Sequence, residues 1–220
     1  MATGVRGARA AISAIERHGA LLVYPMANRK EPHSLWSVLY PGATMRWAWD
    51  DGADARVVSL WHLRAELAES RAVVYGKWYK GRAVFFSHEL FVALLALFRG
   101  LPDVLSQDAR DILRMLEEDS PQSSKALRKN AGLSGRHHER LWTRAMTALW
   151  ERLWIVGTGE VEDGAFPSLS VGATRWIFEQ HWEAAAVGPT DAQRRLIATC
   201  MPATGAFGKH LARVVSGPKQ

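Results

Sequence analysis

Residues Gly132–Trp154 read GLSGRHHERLWTRAMTALWERLW. Two adjacent histidines and three arginines lead into a run of large apolar residues. A metal site, a catalytic cluster and the front of a nucleic-acid-binding helix are all consistent with that composition, and side-chain direction separates them. At about 100° per residue, Leu141, Trp142, Ala145, Met146, Leu149 and Leu153 share one arc and form a core face. The opposite face holds Arg136, Arg140, Thr143, Arg144, Thr147 and Glu151. His137 sits at the edge of that basic face, and His138 on the apolar side as a packed histidine with one hydrogen bond. Adjacent helical residues do not converge on one ion; ligand pairs come three or four apart. No further His, Cys, Asp or Glu within a turn completes a set, so no metal and no cofactor are expected here. Arginines and threonines on one stripe suit phosphates and base edges instead.

The flanking segments give this helix its context. Upstream, LSQDARDILRMLEEDSP reads as a helix capped by Ser106, with Ala109, Ile112, Leu113 and Leu116 on one face. SSKALRKNAGL is a short second helix capped by Ser123 or Ser124 and ended by Gly132. Ser134 is the expected cap of the third helix, over residues 135–152. Two β runs around Asp163-Gly164 then make a hairpin signal. Three helices followed by a hairpin are the layout of a winged helix-turn-helix, assigned to residues 101–187. Lys125, Arg128 and Lys129 on the second helix flank the same surface. Across residues 123–154, seven Lys or Arg face two acids, where a salt-bridged surface would be nearer parity. The hairpin tip EVEDG is acidic, which counts against a wing that grips phosphate.

The first hundred residues are an α/β unit and a candidate second winged helix, giving an α+β fold of one or two tandem units. A helix spans Ala8–His18, ALLVYP is a short strand, and Asn28–Gly42 reads as loop. Asp50-Asp51 before Gly52 marks a turn in preference to an ion site. Val57, Leu60, Trp61, Arg64 and Leu67 carry helical periodicity across residues 56–70. Lys80-Gly81 joins two β-rich runs as a hairpin, and Glu89–Phe98 is a buried helix. Thr174–Ala186 is an amphipathic helix, and residues 188–220 form a basic, loosely patterned tail with helical character near Asp191–Thr199. No internal sequence repeat stands out.

The 220 residues carry 28 Lys and Arg against 22 Asp and Glu, a formal net charge of +6. A basic balance favours polyanionic partners. The single cysteine, Cys200, excludes an intramolecular disulfide and a cysteine-based zinc site, and fits a reducing compartment. The longest apolar run, Leu90–Phe98, is too short to cross a bilayer, and the N-terminus lacks the apolar core of a signal peptide. A cytoplasmic protein without a membrane partner is expected. Glu31 or His33 in the first-third loop are the acid–base candidates beyond the basic helix.

With this layout the chain resembles the AlkZ/YcaQ family, bacterial DNA glycosylases of interstrand crosslinks built from tandem winged-helix units, and most of all its smaller AlkZ-related proteins. The likeness lies in AISAIERHGALLVYPMANRKEPHSLWSVLYP, in GKWYKGRAVFFSHELFVALL and in the winged-helix segment that contains the opening stretch. It implies a double-stranded DNA partner. The glycosylases carry a Gln, an apolar residue, then Asp, Asn or Gln, whose side chains activate the water that displaces the damaged base. Here Val23 or Tyr24 stands at the Gln position, and no Gln-apolar-acid triplet occurs in the chain. Base excision needs a polar group to orient water, and Asn28 is the weak catalytic candidate among Tyr24–Asn28. The resemblance therefore implies a duplex-DNA-binding architecture that has lost the chemistry. The alternatives are an active glycosylase with a variant site at Tyr24–Asn28, and a winged helix that binds protein.

Overall fold

The computed structural model describes residues 2–47, 54–103 and 105–217, so the Asp50-Asp51 turn lies outside the described residues. Helix α1 (Ala2–His18) leads into strand β1 (Ala20–Leu22), helices α2 (Leu35–Leu39) and α3 (Ala55–Ser70), and the hairpin β2 (Val74–Tyr79)–β3 (Arg82–Phe86). Lys80 and Gly81 close that hairpin at φ 53° and 70°, the pair of positive φ values that a type I′ turn needs. Helix α4 (His88–Arg99) begins where the Ser87 hydroxyl accepts from the Leu90 N–H. Its apolar residues run round the whole circumference, and Leu90, Phe91, Ala93, Leu94, Leu95, Ala96 and Phe98 are buried, as expected of a central helix.

The second half repeats the order. Helix α5 (Gln107–Glu118), strand β4 (Gln122–Ser123), helix α6 (Ser124–Asn130), a 3-10 turn at Arg136–His138 and helix α7 (Glu139–Glu151) precede the hairpin β5 (Ile155–Val161)–β6 (Ser168–Ala173). Ser106 caps α5 and Ser123 caps α6, each accepting from a backbone N–H three residues on. Helices α8 (Thr174–Ile177), α9 (Glu179–Ala184), α10 (Asp191–Cys200) and α11 (Ala206–Ser216) follow. Each half thus runs helix, strand, helix, helix, strand, strand. The six strands form one sheet in the order β1-β3-β2-β5-β6-β4, palindromic about the β2–β5 seam. Every pairing of these strands is antiparallel, in keeping with the α+β class.

Three clusters share the burial. One packs α1, α2 and α3 on a face of β1–β3, around Ile15, Trp36, Leu60 and Phe85. A second packs α5, α6 and α7 on β5 and β6, around Ile112, Leu127, Leu149 and Val171. The third, the largest, lies under α4 and takes in Trp78 and Phe86. Ile197, Met201, Phe207, Leu211 and Val214 belong to it, so residues 188–217 are no loose tail. They form two docked helices whose apolar stripes are interrupted at Met201–Gly205, which hides their common period.

Three other local expectations change. The loop at Asn28–Gly42 contains α2, held by a capping box between Ser34 and Ser37 and by the buried Leu35 and Trp36. The helix expected over Thr174–Ala186 breaks at Phe178 into α8 and α9. The third helix of the second half does not start at Gly135: that residue sits at φ 87° and opens the 3-10 turn, and α7 begins at Glu139. A helix cannot propagate through a residue held in the left-handed region.

Side chains at the seam join the halves. Strands β2 and β5 pair at Tyr75 and Gly157, and a Cβ on Gly157 would lie 2.2 Å from Tyr75 Cδ1. The buried Arg64 of α3 reaches across to an ion pair with Glu160 of β5 and lies 3.5 Å from the Tyr75 hydroxyl. Burial disfavours the Arg64 charge, but Tyr75 and Glu160 outweigh it and the guanidinium pKa ends raised. Trp78 Nε1 donates to the Glu151 carbonyl at 3.1 Å, tying β2 to the end of α7.

Gly157→Ala should therefore cost about 1–3 kcal/mol of folding stability, because the Tyr75 ring has no free space to move into. Gly7→Ala, inside α1 and with nothing within 4 Å of the added methyl, should instead gain up to about 1 kcal/mol. Urea unfolding of both variants checks the contrast.

Candidate nucleic-acid interface

The basic segment is held by its own neighbours. Arg128 of α6 spans the turn before α7: its Nε donates to the Leu133 carbonyl at 2.9 Å and its Nη2 to the Gly135 carbonyl at 3.3 Å. The same Nη2 pairs with Glu139 at 2.8 Å. Arg128 is thus spent on shaping the loop. Lys125 donates to the Asp163 carbonyl at 2.7 Å, stapling α6 to the hairpin tip. The Asp163 carboxylate accepts from Ser123 at 2.5 Å and Ser168 at 2.6 Å. Those two hydroxyls, with Lys125 nearby, hold its pKa below the usual carboxylate range.

Arg136, His137, Arg140, Thr143 and Arg144 are exposed, Thr147 is half-buried, and Lys129 is exposed on α6. Arg136 and His137 stand on the 3-10 turn, one step before the helical stripe. Thr143 leans on Glu139 at 3.4 Å. His138 is half-buried and its Nδ1 lies 3.1 Å from the Ser134 carbonyl. On the inner face Ala145, Met146, Leu149 and Trp150 are buried. Trp150 was missing from the expected arc, and Leu153 reaches the core from beyond the helix at φ 56°. Glu151 does not share the outer surface. It pairs with Arg213 of α11 and lies 3.6 Å from His210.

Among the described residues, Arg136, Arg140, Arg144 and Lys129 have no hydrogen-bonded or ion-paired partner. The two acids of α7 are taken, Glu139 by Arg128 and Glu151 by Arg213. The surface from the 3-10 turn along the first turns of α7 is therefore cationic without internal compensation, which is what a polyanion needs.

The first-half candidates are arranged differently. Asn28, at φ 55°, clamps one backbone residue: Nδ2 donates to the Met45 carbonyl at 3.0 Å, and Oδ1 accepts the Met45 N–H at 2.8 Å. The Tyr24 hydroxyl donates to the Val57 carbonyl at 3.1 Å, and burial pushes its pKa up to about 12. Glu31 and His33 approach to 3.4 Å beside a cleft of about 290 Å³, where His18 joins them with ring centroids 5.3 Å apart. His18 comes from the end of α1, and no local motif in the sequence links it to that loop. Among the described residues no group of three or more His, Cys, Asp or Glu is placed to hold a metal ion. No helix there is long and apolar enough to cross a membrane.

The sequence model of the AlkZ-related family matches residues 5–215. The chain belongs to the AlkZ-related family. No curated protein and no solved structure matches it. In this AlkZ-related protein the match runs through both halves and α10 and almost to the end of α11. The two C-terminal helices are therefore part of the family's unit.

Helix α11 docks under α7 through a buried histidine. His210 Nε2 donates to the Trp78 carbonyl at 2.9 Å, and Nδ1 faces Arg213 at 3.4 Å. Burial lowers the His210 pKa to about 4, with Arg213 and Lys80 adding to the effect and the Trp78 bond opposing it. Glu151 is close enough to favour the charged form, but Arg213 already neutralises it. The unfolded chain takes up a proton below pH ~6.5, and the native state holds out to about 4. The stability from this site is thus complete above pH ~6.5 and is lost as pH falls toward 4. In urea unfolding between pH 7 and 4.5, the wild type should lose on the order of 3 kcal/mol more than His210→Gln. Equal losses would show that His210 is not held neutral.

Proposed function

We propose that this chain is a duplex-DNA-binding protein of two tandem winged-helix units, related to the interstrand-crosslink glycosylases and lacking their Gln-containing catalytic triplet. The observation that carries the reading is the uncompensated charge of Arg136, Arg140 and Arg144 on the 3-10 turn and α7, with Lys129 beside it. Arg136, Arg140 and Arg144 contact phosphates or guanines, and His137, Thr143 and Thr147 assist at base edges or phosphates. Lys125 and Arg128 act from behind, holding the hairpin and the turn in place.

The repeated helix-strand-helix-helix-strand-strand order supports two winged-helix units, with α7 as the recognition helix of the second. Of the acidic hairpin tip, Glu160 is neutralised by Arg64 and Asp163 is turned toward the serines, which leaves Glu162 as its exposed acid. The counterpart helix of the first half, α3, exposes Val58, Trp61 and His62 with Glu66 and Glu69. That face is not cationic, so DNA is assigned to α7. Asn28 and Tyr24 spend their polar atoms on backbone groups, which supports binding without base excision.

Fluorescence anisotropy of a labelled duplex over a salt series tests the proposal. Each phosphate contact contributes about 0.9 to the log–log slope, so Arg136/Arg140/Arg144→Ala should flatten it by up to ~2.7. A wild type that does not bind duplex at low salt would return α7 to the role of a protein-binding face. Free base released from alkylated or crosslinked duplex, and abolished in Asn28→Ala, would make the protein an active glycosylase instead.

A further inference from the structure

Between α7, α11 and the start of α5 lies a cleft of about 540 Å³. Its lining includes Ser106, Arg144, Thr147, Glu151, Arg152 and Arg213. These come from three separate parts of the chain: the end of the link into α5, the second half of α7, and the last turn of α11. Three arginines face one carboxylate, and Arg213 is already engaged by that carboxylate. Arg144 and Arg152 have no hydrogen-bonded or ion-paired partner among the described residues. Arg144 is exposed, whereas Arg152 is half-buried just past the end of α7. A guanidinium taken partly out of water without a directly bonded counter-charge is costly, and an incoming anion reduces that cost. Burial lowers the pKa of Arg152 even though Asp103 and Glu151 pull it upward. The Ser106 hydroxyl accepts from the Ala109 N–H and keeps its own proton to donate. Thr147 supplies a second hydroxyl at the rim.

We infer that this cleft is a phosphate-binding site in which Arg144 and Arg152 supply the charge and the Ser106 and Thr147 hydroxyls supply further donors. Leu105, Ala148 and Val214 also line the cleft, and the fixed donors and guanidinium forks among them suit a tetrahedral oxyanion better than a planar one. Arg144 belongs both to the cleft and to the cationic face of α7, so a strand lying on Arg136 and Arg140 reaches the cleft at its end. Assigning the phosphate to a nucleic-acid backbone rests on the DNA-binding reading; the cleft as a phosphate site does not. A backbone phosphodiester and a free phosphomonoester share this chemistry, and two measurements separate them.

The first is thermal unfolding in inorganic phosphate against chloride at equal ionic strength. A ligand that binds only the native state raises Tm with its concentration. Wild type should gain Tm progressively in phosphate, Arg152→Met should not, and Arg152→Lys should recover part of the gain. No gain in wild type, or an equal gain in Arg152→Met, would overturn the site. The second is the duplex salt series. Arg152→Met should flatten the slope by about 0.9, one phosphate contact, while Arg114→Ala on the outer face of α5 leaves it unchanged. An Arg152-dependent Tm gain with an unchanged slope assigns the cleft to a free phosphomonoester and overturns the backbone assignment. If wild type fails to bind duplex while the Arg152-dependent gain persists, the DNA-binding reading falls and the phosphate site stands.

Discussion

The contact between the Tyr75 ring and the backbone at Gly157 decides how the two halves of this protein become one. The hairpins β2–β3 and β5–β6 meet at that register pair, and the ring fills the space that any side chain on residue 157 would need. Around it the Tyr75 hydroxyl faces Arg64, and Arg64 is answered by Glu160 from the other half. A buried ion pair of this kind adds little net stability but disfavours arrangements that would strand one charge. Here it ties α3 to β5, and Trp78 ties β2 to α7 in the same way.

The two halves share a layout and differ in what they show to solvent. On α3 the outward positions hold Val58, Trp61 and His62 with two glutamates; on α7 they hold arginines. A scaffold repeated in this way constrains packing and leaves the exposed face free to diverge. The cationic character of α7 arises as much from where the acids go as from where the arginines are. Glu139, Glu151 and Glu160 are each paired with an arginine of this chain, so they do not screen the free arginines of the 3-10 turn and α7.

Much of the local structure was legible in the sequence, because its causes lie within a few residues. Ser106 and Ser123 are read as caps from their own backbone neighbours, Lys80-Gly81 as a tight turn from the φ values it permits, and α4 from a run of apolar residues longer than a strand. The repeat of the two halves was legible only as a similar succession of elements, a candidate second winged helix, and not as a repeat in the residues themselves. It lives in the order of elements, while the residues that fill equivalent positions, such as Trp36 and Leu127 in the two cores, have nothing in common but burial. The start of α7 was misplaced for a similar reason. Ser134 is a good cap by type, but Gly135 at positive φ and the Arg128 bonds to Leu133 and Gly135 delay the helix by one turn.

By itself the sequence determined the class of fold and the arginines that line one side of the third helix, since each depends on residue type and short-range spacing. Only the tertiary structure decided which cations are spent and which are available. Arg128 and Lys125 serve the fold, Arg64 serves the seam, and Arg213 of α11 joins Arg144 of α7 and Arg152 at its end around one cleft although the two helices are far apart in the chain. Charge partners are set by distances across the fold, and those distances have no period that a sequence can display.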